Sequence, residues 1–258
     1  MLDGKNQPLP PLFETAQFGR LFTMFEIPIS ERLAILTRNE GWFGRAPKEF
    51  QDAVLSGCEW TVWPAGKAIF DFADRQEHFS GIVDGAVEFY SRFGAGDNPL
   101  VHIAHEGFWL GYGSFAAHEP PRVAALARVD TLLASVPERH LRALLEARPE
   151  WWRLIATGAF EYGDLGVSGY ADSLIQDNDR RCASVLLRIT GQKPPRRSRP
   201  ERTEVPVTQD ELATMVRLSR TTLVQVLRRF ERRGLIEQGY RTLRVVDVPG
   251  LTALETGG

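Results

Sequence analysis

The sequence predicts an α+β chain in three parts: a β-rich N-terminal half, a long helix, and a pair of short helices followed by a hairpin. Three observations carry this reading. Short apolar runs broken by glycine fill the stretch from Trp60 to Val136, apolar positions recur every three or four residues from about Pro149 to Gln176, and Thr208 and Ser219 each open a short amphipathic helix. At 258 residues the chain is long enough to bury more than one core.

Residues 1–45 show no sustained period, with Pro8, Pro10 and Pro11 near the start, and read as a peripheral arm with a short helix after Ser30. Ala46–Ser56 has helical spacing through Phe50, Val54 and Leu55, with Pro47 at a tolerated first-turn position and Gly57 as the stop. The runs Trp60–Trp63, Ala68–Phe70, Ser80–Val83, Ala86–Tyr90 and Leu100–Ile103 follow, and Asp84-Gly85 gives a tight-turn signal. Many short strands at this spacing argue for a sandwich of the jelly-roll kind over residues 46–147. Pro137–Ala147 reads as a short helix.

Residues 148–178 hold the long helix, with Trp152, Ile155, Ala159, Tyr162, Leu165 and Gly169 along one stripe. It also contains Gly158, Gly163 and Gly166, and each helical glycine costs up to about 1 kcal/mol relative to alanine. A helix so weak in propensity requires packing, against a second copy of the chain or against its own sandwich. Asp179–Thr190 is a further helix, opening a C-terminal unit over residues 179–258. Lys193–Pro200 contains three prolines and four basic residues and reads as a connector.

Thr208-Gln209-Asp210-Glu211 has the form of a capping box. The helix that follows, to Val216, turns Leu212, Ala213 and Val216 inward. Ser219 caps a second helix whose Leu223, Val226, Leu227 and Phe230 form an i, i+3, i+4, i+7 stripe, ended by Gly234. Arg220, Thr221, Gln225, Arg228, Arg229, Arg232 and Arg233 lie off that stripe. Leu235-Ile236 and Leu243–Val246, joined around Gly239-Tyr240, would pair as a wing. Helix, turn, capped helix and wing form a winged helix-turn-helix, the arrangement that places a recognition helix in the major groove.

Charge agrees with a polyanionic partner. The net charge is −2, yet residues 193–244 hold 13 Lys/Arg against 6 Asp/Glu, a local balance of +7 that leaves −9 on the rest. No stretch approaches the roughly 18–20 apolar residues of a membrane span. The N-terminus lacks the basic-then-apolar order of a signal peptide, and Cys58 and Cys182 suggest no disulfide framework, so a cytoplasmic setting is expected.

The run VTQDELATMVRLSRTTLVQVLRRFERRGLIEQGYRTLRVVD resembles the DNA-binding domain of the CRP/FNR family of bacterial transcription regulators. That resemblance implies a homodimer on double-stranded DNA, with half-sites about one helical turn apart, and RNA polymerase as a further candidate partner. It gives Arg220 the role of reading guanine O6 and N7. Thr221 and Gln225 stand at two further reading positions, where the family often carries glutamate and arginine. Thr208, Ser219, Arg228, Arg232 and Arg241 are the expected phosphate contacts.

The resemblance extends more loosely over residues 46–190, where PAGKAIFDFAD and FSGIVDGAVEFY are similar to the opening of the family's cyclic-nucleotide-binding jelly roll. GFWLGYGSFAAHEPPRVAAL falls where the phosphate-binding cassette would lie. Gly111 is there, but Tyr112 replaces the glutamate that holds the ribose, and Val123 replaces the hydroxyl residue after Arg122. Losing two of three polar anchors argues against cyclic AMP. A small effector on Gly111, Tyr112, Arg122 and Val123, or a regulator with an empty sensor, are the two expectations. Two cysteines argue against an iron–sulfur cluster, and no cofactor is expected. The rival from another class, a cupin-like metal enzyme, would need His102, His105 and Glu106 to converge. Strand residues three apart point to opposite faces, which argues against it.

Overall fold

The computed structural model describes residues 27–74, 77–93, 98–111, 115–116, 119–193 and 203–257. Among the described residues two helices come first, α1 (Ile29–Thr37) and α2 (Lys48–Ser56), the second running from Pro47 to Gly57 as its end signals predict. Eight strands follow: β1 (Glu59–Trp63), β2 (Ala68–Phe70), β3 (His78–Asp84), β4 (Val87–Ser91), β5 (Leu100–Ala104), β6 (Trp109–Leu110), β7 (Val123–Ala127) and β8 (Thr131–Pro137). They form two antiparallel sheets, in the orders β1-β8-β3-β6 and β2-β7-β4-β5. This is the jelly-roll pairing, in which strands near in sequence alternate between sheets. Asp84-Gly85 therefore passes the chain from one sheet to the other and does not close a hairpin. Gly85 takes φ +104°, and a Cβ there would lie 2.6 Å from the Thr131 hydroxyl, so only glycine suits the corner.

The peripheral role expected of residues 1–45 does not hold for their described end. Leu36, Trp42 and Phe43 are fully or almost fully buried, and Phe43 lies 4.3 Å centroid to centroid from Trp109 of β6. Phe79 stacks on the same Trp109 at 4.8 Å. This segment covers the outer face of the β1-β8-β3-β6 sheet: Phe79, Trp109, Leu132 and Val136 share its core, whereas their strand neighbours Leu110 and Leu133 face the partner sheet. Residues 1–26 lie outside the described residues.

After β8 come α3 (Glu138–Ala147), a single 3-10 turn at Pro149–Trp151, and the long helix α4 (Trp152–Leu174). The expected stripe on α4 is only partly the observed one. Ile155, Tyr162 and Leu165 pack on the chain's own sandwich, whereas Ala159 is exposed. The Tyr162 hydroxyl accepts the Trp109 backbone N–H at 2.9 Å, and Glu161 accepts the Trp42 backbone N–H at 3.1 Å and pairs with Arg45. The opposite face carries a second apolar row that reaches solvent: Phe160 and Val167 are 75% and 67% exposed, with Tyr170 and Leu174 further along. Both of the packings weighed from the sequence thus have a face on this helix.

The C-terminal unit is α5 (Asn178–Ile189), β9 (Glu204–Val205), α6 (Gln209–Met215), α7 (Arg220–Arg232), the wing β10 (Ile236–Gly239) and β11 (Thr242–Val245), and α8 (Val248–Thr256). Strand β9 pairs with β11 and widens the wing to three strands, an addition the sequence pattern did not signal. Its core of Leu186, Leu212, Val226, Leu227, Phe230 and Leu243 is continuous with Leu100 and Ile103 of β5, so the two units share one apolar contact. Most of the expected connector, residues 194–200, lies outside the described residues. Among the described residues no helix is long and apolar enough to cross a membrane.

Candidate nucleic-acid interface and effector cavity

The recognition helix is built by local chemistry. Thr208 accepts the Glu211 N–H and Glu211 reaches back to the Thr208 N–H at 2.8 Å, completing the capping box of α6. Arg217 takes φ +54°, a left-handed residue that turns the chain sharply between the helices. Ser219 then accepts the Thr222 N–H at 3.1 Å and starts α7. Leu223, Val226, Leu227 and Phe230 are all buried, as their spacing predicts.

What remains outward is a polar and basic face. Ser219, Arg220, Thr221, Gln225, Arg228 and Arg232 are exposed on or beside α7, and Arg241 is exposed at the tip of the wing with φ +56°. Arg220 lies 3.3 Å from Asp210 of α6, an exposed pair worth at most about 1 kcal/mol, so its guanidinium stays available. Thr208 is half-buried, and both its N–H and its hydroxyl are turned to Glu211. Arg229, grouped with the outward residues by its spacing, instead binds Asp179 at 2.9 Å and ties α7 to α5.

The second site is a cavity of about 650 Å³ between the β4/β5/β7 face of the sandwich, the long helix and the C-terminal unit. Gly111 (φ +105°), Arg122 and Val123, three of the four residues expected at an effector site, line it. Tyr112 lies outside the described residues. Arg122 is exposed and pairs with Glu119 at 3.2 Å. The wall also includes Arg188 of α5 and Met215 of α6, neither of which the sequence pointed to. His102 faces this cavity, while His105 is buried and its Nε2 donates to the Ile189 carbonyl at 3.1 Å. The two histidines therefore part, as strand geometry requires, and no group of three or more metal-binding side chains occurs among the described residues.

Two polar clusters join the units beside this cavity. Arg128, just after β7, donates to Glu88 of β4 at 2.6 Å, to both oxygens of Glu211 at 2.7 and 2.5 Å, and to the Pro206 carbonyl at 2.8 Å. Burial alone would raise the Glu211 carboxyl. Its hydrogen bonds from Arg128 and from Thr208 outweigh that and hold it below its ordinary value. Below, Asp172 of α4 accepts from Arg188 at 2.8 Å, Ser184 at 2.6 Å and Lys193 at 3.1 Å. Of the two cysteines, Cys182 is fully buried and its thiol is pushed up to about 12, while burial also raises half-buried Cys58. Neither has thiolate character near neutral pH.

A jelly roll with a ligand-sized cavity, joined to a winged helix-turn-helix, defines a class: a DNA-binding regulator of two units. The comparisons narrow it. Residues 60–148 match the model of the cyclic nucleotide-binding domain, and residues 180–254 match the Crp-like helix-turn-helix domain. The chain is a transcription regulator of the CRP/FNR family, with a cyclic-nucleotide-binding domain joined to a Crp-like helix-turn-helix. Among solved structures it is similar to FixK2 from Bradyrhizobium japonicum, at 17% identity and a TM-score of 0.61, covering 77% of this chain and 97% of that one. A CRP/FNR-family transcriptional regulator from Thermus thermophilus gives 21% identity and a TM-score of 0.56, over 77% and 98% of the two chains. The c-di-GMP responsive global regulator of Xanthomonas campestris gives 16% and 0.55, over 78% and 100%. At these identities the likeness is one of fold. No curated protein matches the sequence.

Proposed function

We propose that the chain acts as a homodimer that reads a two-fold DNA operator through paired α7 helices, its affinity set by a small effector in the cavity. The observation that carries the reading is the outward face of α7. There Arg220, Thr221 and Gln225 stand at the N-terminal end that enters a major groove, with Arg228 and Arg232 further along toward the flanking phosphates. Arg220 would pair with guanine O6 and N7, and the phosphate contacts, including Ser219 and Arg241, would set affinity and salt dependence.

The exposed row on α4 supports the dimer. Ala156, Phe160, Gly163, Val167, Tyr170 and Leu174 follow one another at intervals of four and three, the spacing of a two-helix seam. Gly163 at its centre would let two backbones approach. With α4 seated against the sandwich on its other side, each subunit would present its recognition helix from the far end of the seam.

Selection of bound duplexes from a random pool, with no ligand added, tests the DNA reading. The expected result is an inverted repeat with half-sites about one turn apart. Arg220→Ala should then lose about 1–3 kcal/mol of discrimination at one base pair of each half-site. Unchanged preference between cognate and scrambled duplexes would refute the assignment of α7.

A further inference from the structure

The wall of the cavity says what kind of molecule it takes. Phe70, Phe89, Phe108, Leu110, Leu165 and Met215 make it largely apolar. Among the described lining residues there is no Asp, Glu, Asn or Gln, so a ribose or a purine edge would meet few acceptors or amides. The charged groups among them are two cations. Arg122 stands at an exposed position, and Arg188 is 7% exposed. Arg188 spends Nε on Asp172 at 2.8 Å and Nη1 on the Val101 carbonyl at 3.3 Å, and its Nη2 makes no hydrogen bond to a described residue. A buried guanidinium with donor capacity left beside a cavity calls for an acceptor, preferably a charged one.

The glycines of α4 fit the same reading. A Cβ on Gly166 would meet nothing within 4 Å, and one on Gly169 would touch the Arg188 guanidinium at 3.8 Å. Both line the cavity, so the propensity that α4 gives up there is exchanged for ligand space and for access to Arg188.

We propose that the effector is an apolar monocarboxylic acid, its carboxylate on Arg188 and Arg122, its hydrocarbon body among Phe70, Phe89, Phe108 and Leu165. Arg188 of α5 and Met215 of α6 both belong to the C-terminal unit, so the ligand is gripped by the jelly roll and by the DNA-binding unit at once. At about 650 Å³ the cavity is of the size that encloses such a molecule. This inference rests on the effector-gated reading above and names its ligand class.

Calorimetric titration of the full-length protein tests it, with decanoate and 4-phenylbutyrate as acids, decan-1-ol as the uncharged match, and cyclic AMP as the polar rival. One acid per chain is expected to bind, the better of the two showing whether the body is aliphatic or aromatic. Decan-1-ol should bind at least ten-fold more weakly, and cyclic AMP not measurably. Gly166→Leu, which raises helix propensity while filling the cavity, should abolish acid binding and melt no lower than the parent. Arg122→Gln should weaken the acids and leave decan-1-ol unchanged. Equal binding of acid and alcohol, binding of cyclic AMP alone, no binding of either acid, or binding unaltered by Gly166→Leu each overturns the proposal. A protein that selects an inverted repeat yet binds neither acid would sink this inference and leave the DNA reading standing.

Discussion

Arg128 ties the sandwich to the C-terminal unit, and replacing it with methionine should uncouple the two. The side chain is 9% exposed and faces two carboxylates, Glu88 at 11% and Glu211 at 26%. Removing one partner of a buried ion pair costs about 3–5 kcal/mol, because the remaining charge is left desolvated without compensation. Water reaches Glu211 in part, which places Arg128→Met near the lower end, about 3 kcal/mol. Methionine keeps most of the volume, so the loss is one of charge and of the Pro206 carbonyl contact, with little cavity term. The assay follows from the sequence: all six tryptophans lie between Trp42 and Trp152, outside the C-terminal unit. In urea, tryptophan fluorescence reports the sandwich, while far-ultraviolet circular dichroism also reports the C-terminal helices. The parent should unfold with the two signals together. Arg128→Met should lose helical signal at lower urea, before the fluorescence moves. Adding Glu88→Gln and Glu211→Gln should recover much of the loss, since glutamine still completes the capping box at Thr208. Coincident, unshifted transitions in Arg128→Met would refute the role given to this cluster.

The same contact should respond to acid. The Glu211 carboxyl lies below its ordinary value, so its stabilisation is present above the unfolded-state value of about 4.3 and is lost as pH falls through the folded one. The helical transition should therefore separate from the fluorescence transition below about pH 4, in parent protein but not in the triple variant. Val167→Asp places a charge in the middle of the exposed α4 row and should turn a dimer into a monomer by analytical ultracentrifugation, with operator affinity falling alongside. Phe43→Ala should cost about 3–5 kcal/mol by urea titration, the usual loss for a fully buried phenylalanine. A loss below about 0.5 kcal/mol, typical of surface positions, would return this segment to the periphery.

The helix-turn-helix was legible from sequence because its determinants are local. Each cap, stripe and stop of α6 and α7 lies within about a turn of the residue it controls, and Thr208, Ser219 and Gly234 perform in the structure the roles their positions announce. The strands were legible for the same reason, as short apolar runs between glycines. Tertiary structure alone decided how those strands pair, so that Asp84-Gly85 became a passage between sheets. It also decided the fate of Trp42 and Phe43, whose burial depends on Trp109 more than sixty residues later. On α4 the sequence showed one apolar stripe and two candidate packings, and only the packed molecule revealed an inner row and a separate outer one. Arg128 and Arg188 carried no local signal at all. Arg128 finds its partners 40 and 83 residues away, and Arg188 finds Asp172 across a helix junction. Caps and periods are written in neighbouring residues, whereas a buried ion pair or a cavity wall exists only where distant segments meet.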